Sequence, residues 1–176
     1  MSSVPIGELS ERHHARVSGT ARAIGSTVIA PLSGRDCVAF YVRVEGQIGL
    51  RGTAMKVHLV EQGGIPFVIE DGTGRAIVDP QHANIVVKLD DNAIVTETSA
   101  RANAFCERHG LVLGHGLLHY HEGVIEVGEQ VTVLGAGVQA PDPEAPPYRG
   151  DPVMVLRLAG SPESPIEITG DRHKRR

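Results

Sequence analysis

Residues 66–80, PFVIEDGTGRAIVDP, constrain the chain more than any other stretch, because they must run extended, reverse, and run extended again. Phe67 and Ile69 lead in on one face, while Ala76 and Val78 lead out with Ile77 turned the other way. That period of two is what a half-buried strand requires. The link Asp71-Gly72-Thr73-Gly74 supplies glycines that take positive φ at low steric cost, as a reversing turn needs, and Pro80 closes the second arm. Two short strands joined by a tight turn are predicted, and the remaining segments read as partners for this hairpin. Glu70, Asp71 and Asp79 cluster on it. Adjacent strand residues point to opposite faces and Asp before Gly is a turn former, so turn formation is preferred to paired acid–base chemistry. DGTG is too short for a calcium loop and lacks the Lys-Ser/Thr and helix of a phosphate cradle.

The other segments repeat the strand signal. ARVSGTARAIG, from Ala15, predicts a strand in which Gly19 marks a bend or bulge. Residues 36–45, DCVAFYVRVE, predict a second, with Arg43 and Glu45 on one face and Val42 and Val44 on the other. A turn is expected over 46–52. A third strand covers 53–60 and is broken by Gly63-Gly64, and NIVVKL, 84–89, adds another. Residues 98–109, TSARANAFCERH, lack Gly and Pro, follow Thr98 and Ser99 as caps and stop at Gly110, which predicts a helix. Residues 111–139 return to strand character, with a turn at 128–130 between the arms of a long hairpin. The connector 141–147, PDPEAPP, cannot pair regularly. Residues 152–158 and 165–169 predict two closing strands joined by Gly160-Ser161-Pro162.

The domain reading is a flexible lead-in at 1–14, one domain over 15–170 and a basic tail at 171–176. The fold class expected is mostly β: a small antiparallel OB-like barrel with one helix and extra C-terminal strands, since closure removes sheet edges that invite aggregation. Periodicity leaves open whether residues 152–170 complete the barrel or form an appendage.

Composition narrows the partners. The formal net charge of -4 gives no general attraction to nucleic acid or anionic membrane, and 3% aromatic residues leave few platforms for base stacking. Two cysteines, Cys37 and Cys106, make no disulfide framework, and MSSVPIGELSERHH lacks the apolar segment of a signal peptide, so a cytoplasmic location is expected. No apolar run approaches the roughly 20 residues of a membrane-spanning helix. Cys37 has no His or Lys neighbour in sequence to lower its pKa, and reads as a packed thiol.

The richest polar cluster is Cys106, His109, His115, His119 and His121. A Cys-x-x-His at a helix end and a His-x-His on a strand can each direct two ligands together, so a tetrahedral zinc formed by Cys106, His109, His119 and His121 is conceivable. The spacing matches no standard zinc motif. Solvent-facing histidines and a buried cysteine are the preferred reading, with His13-His14 weaker still. No residue is assigned as catalytic or cofactor-binding.

The succession SGTAR, PLSGRDCVAFYVRVE, PFVIEDGTGRAIVDP, HYHEGVIEVGEQVTVLGAGV and PIEITG resembles the GIDE-type domain of MULAN-like RING ubiquitin ligases, in a prokaryotic-type form. The matching pieces run from Val17 to Thr169. Pro31-Leu32-Ser33 with Cys37, the DGTG turn followed by Val78-Asp79-Pro80, and Glu122 with Gly128 and Val133-Leu134-Gly135 carry the resemblance. In that family the domain lies beside a membrane between transmembrane helices, and the RING performs the ubiquitin chemistry. Two cysteines are too few for the paired zinc sites of a RING, so ligase activity is not carried over. Glu122 is expected to accept backbone or arginine hydrogen bonds at a strand start.

The resemblance implies a non-enzymatic protein-interaction module whose partner is another protein, with peripheral membrane association through that partner left open. The alternatives are a metal-binding protein or metal-dependent enzyme using the Cys106 to His121 cluster, and an OB-like binder of single-stranded nucleic acid.

Overall fold

The computed structural model describes residues 3–47, 55–89, 100–111, 118–147 and 149–171. In chain order its elements are β1 (Ala15–Ala23), β2 (Val28–Ile29), β3 (Asp36–Cys37), β4 (Ala39–Gln47), β5 (Met55–Gly64), β6 (Phe67–Glu70), β7 (Arg75–Val78), β8 (Ala83–Val87), α1 (Ala100–Arg108), β9 (Leu118–Ile125), β10 (Gln130–Gly135), β11 (Gly137–Pro141), β12 (Met154–Leu158) and β13 (Ile166–Asp171). The fold is mostly β, with one α-helix among the described residues.

The hairpin of 66–80 forms as β6 and β7, in register from Phe67 opposite Val78 to Glu70 opposite Arg75. It sits inside an eight-stranded sheet of order β11-β12-β7-β6-β1-β10-β13-β8. β1 holds the middle of that sheet by using its two edges in succession. Residues 15–20 pair with β10, and residues 20–23 pair with β6. Gly19 lies where a Cβ would come within 3.0 Å of the Glu70 backbone, so its missing side chain permits the close approach of β6.

A second sheet, β5-β4-β9, stands beside the first, and β2 pairs with β3. These ladders remain three open sheets, so the closed OB-like barrel expected from the strand order is not drawn by backbone hydrogen bonds. A side chain spans the gap instead. The Gln62 amide on β5 donates to the Ala83 carbonyl (2.6 Å) and accepts the Ile85 N–H (3.1 Å), satisfying backbone groups on β8 as a neighbouring strand would.

Four further departures have physical causes. The arms after α1 are not a hairpin: β9 pairs with β4, whereas β10 pairs with β1 and β13. Gly128, at φ +91, turns the chain from one sheet to the other, and its N–H is held by the Ala21 carbonyl at 2.8 Å. β5 continues through Gly63 and Gly64 rather than breaking there, because a Cβ on Gly63 would meet the Phe40 ring at 3.0 Å and one on Gly64 would overlap the β3–β4 backbone. β4 likewise runs through Gly46 to Gln47, and the rest of the turn expected there lies outside the described residues. The last two strands belong to the large sheet, since β12 lies between β11 and β7, and β13 between β10 and β8. Their pairings with β7 and β8 are parallel, the exceptions to an antiparallel pattern.

The main core is aliphatic, as a chain with few aromatics requires: Val17, Ile69, Val78, Ile125, Val133 and Ile168 are all buried in it with Phe67. A second cluster lies between the three-stranded sheet and α1, where Val42, Val44 and Tyr120 meet Ala102, Phe105 and Cys106. α1 ends as its Gly110 requires. With φ +65 at Gly110, the Gly110 N–H bonds the Glu107 carbonyl and the Leu111 N–H bonds that of Cys106, closing a Schellman motif over which Leu111 packs. Its expected caps Thr98 and Ser99 lie outside the described residues, as do His115 and the basic tail from residue 172.

Within the stretch read as a lead-in, Ile6–Glu8 form a 3-10 turn whose Ile6 is buried in the main core. The DGTG turn holds it there. Asp71 Oδ2 accepts the Ile6 N–H at 2.9 Å, Asp71 Oδ1 accepts Thr73 Oγ1 and the Thr73 and Gly74 amides, and Gly7 N–H donates to Thr73 Oγ1 at 3.0 Å. Desolvation acts to raise the Asp71 carboxyl, but these hydrogen bonds outweigh it and bring the group down from 3.8 to about 2. A depressed folded-state value contributes stability above 3.8 that is lost as pH falls toward about 2. Asp71→Asn should therefore unfold at lower urea than the parent at pH 6, and the gap between the two midpoints should close as pH is lowered through that window. A gap of constant size would remove Asp71 from the acid response.

Candidate functional site

Among the described residues, the charged side chain that the fold encloses most completely is Glu122, 1% exposed in the middle of β9. On β9, Tyr120 and Glu122 face the second core, and His119 and His121 face the other way, as strand alternation dictates. The Glu122 carboxylate extends to the loop between β2 and β3. Oε2 accepts the Leu32 N–H at 2.7 Å and Oε1 accepts the Ser33 N–H at 3.0 Å, so both oxygens are engaged by adjacent amides of one turn. This is the backbone-accepting role expected of the residue, exercised on a turn.

That turn, residues 30–35, is closed on itself as well. Ala30 N–H bonds the Arg35 carbonyl (2.9 Å) and Gly34 N–H bonds the Ala30 carbonyl (3.1 Å). Leu32 is buried in the second core beneath it while Ser33 is exposed. Gly34 takes φ +72 and leaves the space that the Arg101 guanidinium of α1 fills: a Cβ there would lie 2.8 Å from its central carbon. The result is a loop exposed at Ser33, fixed from below by a carboxylate and flanked by the first turn of α1.

Cys37 follows this loop, fully buried beside Ala30 and Val124. Burial first, and then the nearby Glu122 carboxylate, push its thiol up to about 12. It is a packed thiol and not a nucleophile at neutral pH.

The four metal candidates are distributed over two faces. Cys106 is buried on α1 with Sγ 3.3 Å from the Tyr120 hydroxyl. His109, at the helix end, lies with Nε2 3.1 Å from Glu61 Oε2 and its ring 4.7 Å from that of Phe105. His121 is on the opposite face of β9, with Nε2 3.4 Å from Glu45 Oε2, and Arg43 Nε lies 2.7 Å from the other oxygen of Glu45. His119, in register with Glu45, shares that face. Among the described residues no group of three or more His, Cys, Asp or Glu could hold a metal ion. His13 and His14 are exposed near the start of the chain. Of the hairpin carboxylates, Glu70 lies 3.7 Å from Arg22, Asp71 makes the turn, and Asp79 accepts the Gln81 N–H and pairs with Arg157. Gln62 and Arg101 had no sequence signal, because each acts on a segment distant in the chain.

A family model described as GIDE, E3 ubiquitin ligase, matches residues 56–149. The chain belongs to the GIDE family. The matched span holds the central hairpin, α1 and Glu122, whereas the 30–35 turn that Glu122 secures precedes it in sequence. No curated protein and no solved structure matches the chain. No helix among the described residues is long and apolar enough to cross a membrane.

Glu122→Gln keeps the shape of the side chain but turns an NH2 toward an amide N–H that needs an acceptor. It should cost about 2 kcal/mol in urea denaturation, the scale of a lost charge-assisted hydrogen bond. The cysteines give a second check. Ellman titration at pH 8 should detect no reactive thiol in the native protein and two per chain after unfolding, and fast native reaction at Cys37 would contradict its assigned environment.

Proposed function

We propose that this chain is a non-enzymatic protein-interaction module of the GIDE type, and that it recognises its partner through the 30–35 turn and the adjoining first turn of α1. One observation carries the reading: the buried Glu122 carboxylate has both oxygens committed to two amides of a single loop that reaches the surface at Ser33. Taking a carboxylate out of water is expensive, and here two backbone hydrogen bonds offset that cost. What the carboxylate adds is a defined loop conformation, and loops held rigidly on a scaffold are where recognition residues concentrate. Preorganisation also lowers the entropy lost on binding.

Ser33 stands exposed on the turn, the Arg101 guanidinium lies against its Gly34, and Asp36 is exposed just beyond it at the start of β3. The family description names an E3 ubiquitin ligase, and in this reading the chain contributes binding to such a system while the ubiquitin chemistry belongs to a RING. A membrane-associated partner would place the module at a membrane surface. The two larger sheets, linked at the β5 and β8 edges by Gln62, serve as the scaffold for this loop.

Site-specific photocrosslinking tests this. A photoreactive residue at position 33 in the full chain, expressed in its native host, should yield a discrete adduct with another protein. The same residue at exposed position 163, on the connector between β12 and β13, should not. Glu122→Gln, still folded by circular dichroism, should lower the adduct at position 33 by at least fivefold. Equal labelling at 33 and 163, or an adduct unaffected by Glu122→Gln, would overturn the proposal.

A further inference from the structure

The geometry points to a second site, independent of the 30–35 turn: the outer edge of β5, which fits a second copy of this chain. β5 is ten residues long and has β4 on one side only. Beyond its bonds to β4, its contact with β8 runs through the Gln62 side chain near its C-terminal end. Among the described residues, the edge from Lys56 to Glu61 has no strand neighbour. Val57 and Val60 are each 47% exposed along it.

Both valines lie on one face, although they are three residues apart. The register slips between Val44 and Glu45, so that Leu59 pairs with Val44 but Val57 pairs with Glu45, leaving His58 as the extra residue of a bulge. Val57 therefore joins Val60 on the face that carries Arg43 and Glu45, whereas Lys56 and Glu61, opposite Gly46 and Val42, lie on the other.

A lysine on an open edge ordinarily discourages addition of another strand. Here its mirror position carries the opposite charge. In an antiparallel pair of β5 strands related by a two-fold axis between His58 and Leu59, Lys56 stands opposite Glu61 of the second copy and Val57 opposite its Val60. Directly opposed residues share a face in an antiparallel pair, and both matches satisfy that condition. Each contact occurs twice, as two-fold symmetry requires. A single-copy edge carrying KVHLVE is thus self-complementary in charge and in apolar surface at one register. Glu61 already holds Arg108 and His109 of α1, which fixes its carboxylate near the edge. Two six-residue segments bury far less than the 1,200 Å² or so of a stable interface, so the dimer is weak and reversible, with a dissociation constant on the order of 10 μM.

Sedimentation velocity of the full chain from about 1 to 500 μM tests the association, over concentrations chosen to bracket that constant. The expected result is a monomer–dimer equilibrium weakened at least tenfold by Lys56→Glu and likewise by Val60→Lys, both with unchanged thermal midpoints. Register is read separately. With Cys37 and Cys106 buried, a mixture of Val57→Cys and Val60→Cys chains should form an intermolecular disulfide at least five times faster than either variant alone. A monomer throughout the range, a dimer indifferent to both charge substitutions, or self-crosslinking as fast as mixed crosslinking would each overturn the proposal.

Discussion

A single carboxylate joins three parts of this molecule that are remote in sequence. Glu122 sits on β9, accepts amides of the loop between β2 and β3, and faces the cluster on which α1 packs. Without an acceptor at that point the buried Leu32 N–H and the half-buried Ser33 N–H would have no partner beside the second core, an arrangement folded proteins avoid. The loop conformation, the burial of Leu32 and the approach of Arg101 to Gly34 all follow from satisfying them. The same carboxylate helps keep Cys37 protonated, which turns a potentially reactive group into packing material.

The large sheet is secured by a comparable use of charge at its opposite face. Arg22 on β1 makes two bonds to Glu144, at 2.6 and 2.9 Å, and Arg75 on β7 pairs with Asp142 and Glu144. The arginine partners hold both acids below their ordinary carboxyl range: Arg75 first for Asp142, and Arg22 first for Glu144. In this way residues 142–147, which follow the pairing of Pro141 with Met154 that ends β11, are tied to β1 and β7, strands that they do not pair with; the stretch expected not to pair regularly thus begins one residue later than its sequence suggests. A small cluster of Val68, Ile77 and Val155 is buried on the sheet nearby. Exposed ion pairs contribute little individually, but Glu144, shared between Arg22 and Arg75, with Asp142 on Arg75 defines one position for the connector.

Much of the architecture was legible because it is local. The β6–β7 hairpin follows from alternation and the Asp-Gly turn, and α1 stops at Gly110 because a positive φ there suits glycine. The GIDE family was legible from short motifs in the right order, and the family model bears it out over 56–149. Pairing was less accessible. The segments on either side of Gly128 look like a hairpin in sequence, yet they enter different sheets, because the turn is bound to β1 and each arm meets a better-matched partner elsewhere. Gly63 and Gly64 read as breaks, whereas the fold uses them where the Phe40 ring and the neighbouring backbone come too close for a side chain.

The candidate site divides in the same way. Sequence by itself determined which residues alternate onto which face of β9, and so separated Tyr120 and Glu122 from His119 and His121. It also determined the hairpin, the helix stop and the family. Only the tertiary structure decided that Glu122 meets Leu32 and Ser33, some ninety residues away, that Gln62 spans the two sheets, and that, among the described residues, the outer edge of β5 has no strand beside it. The reason is physical: periodicity and turn chemistry act over a few residues, while a buried carboxylate, a bridging amide and a strand edge are defined by what the rest of the chain brings next to them.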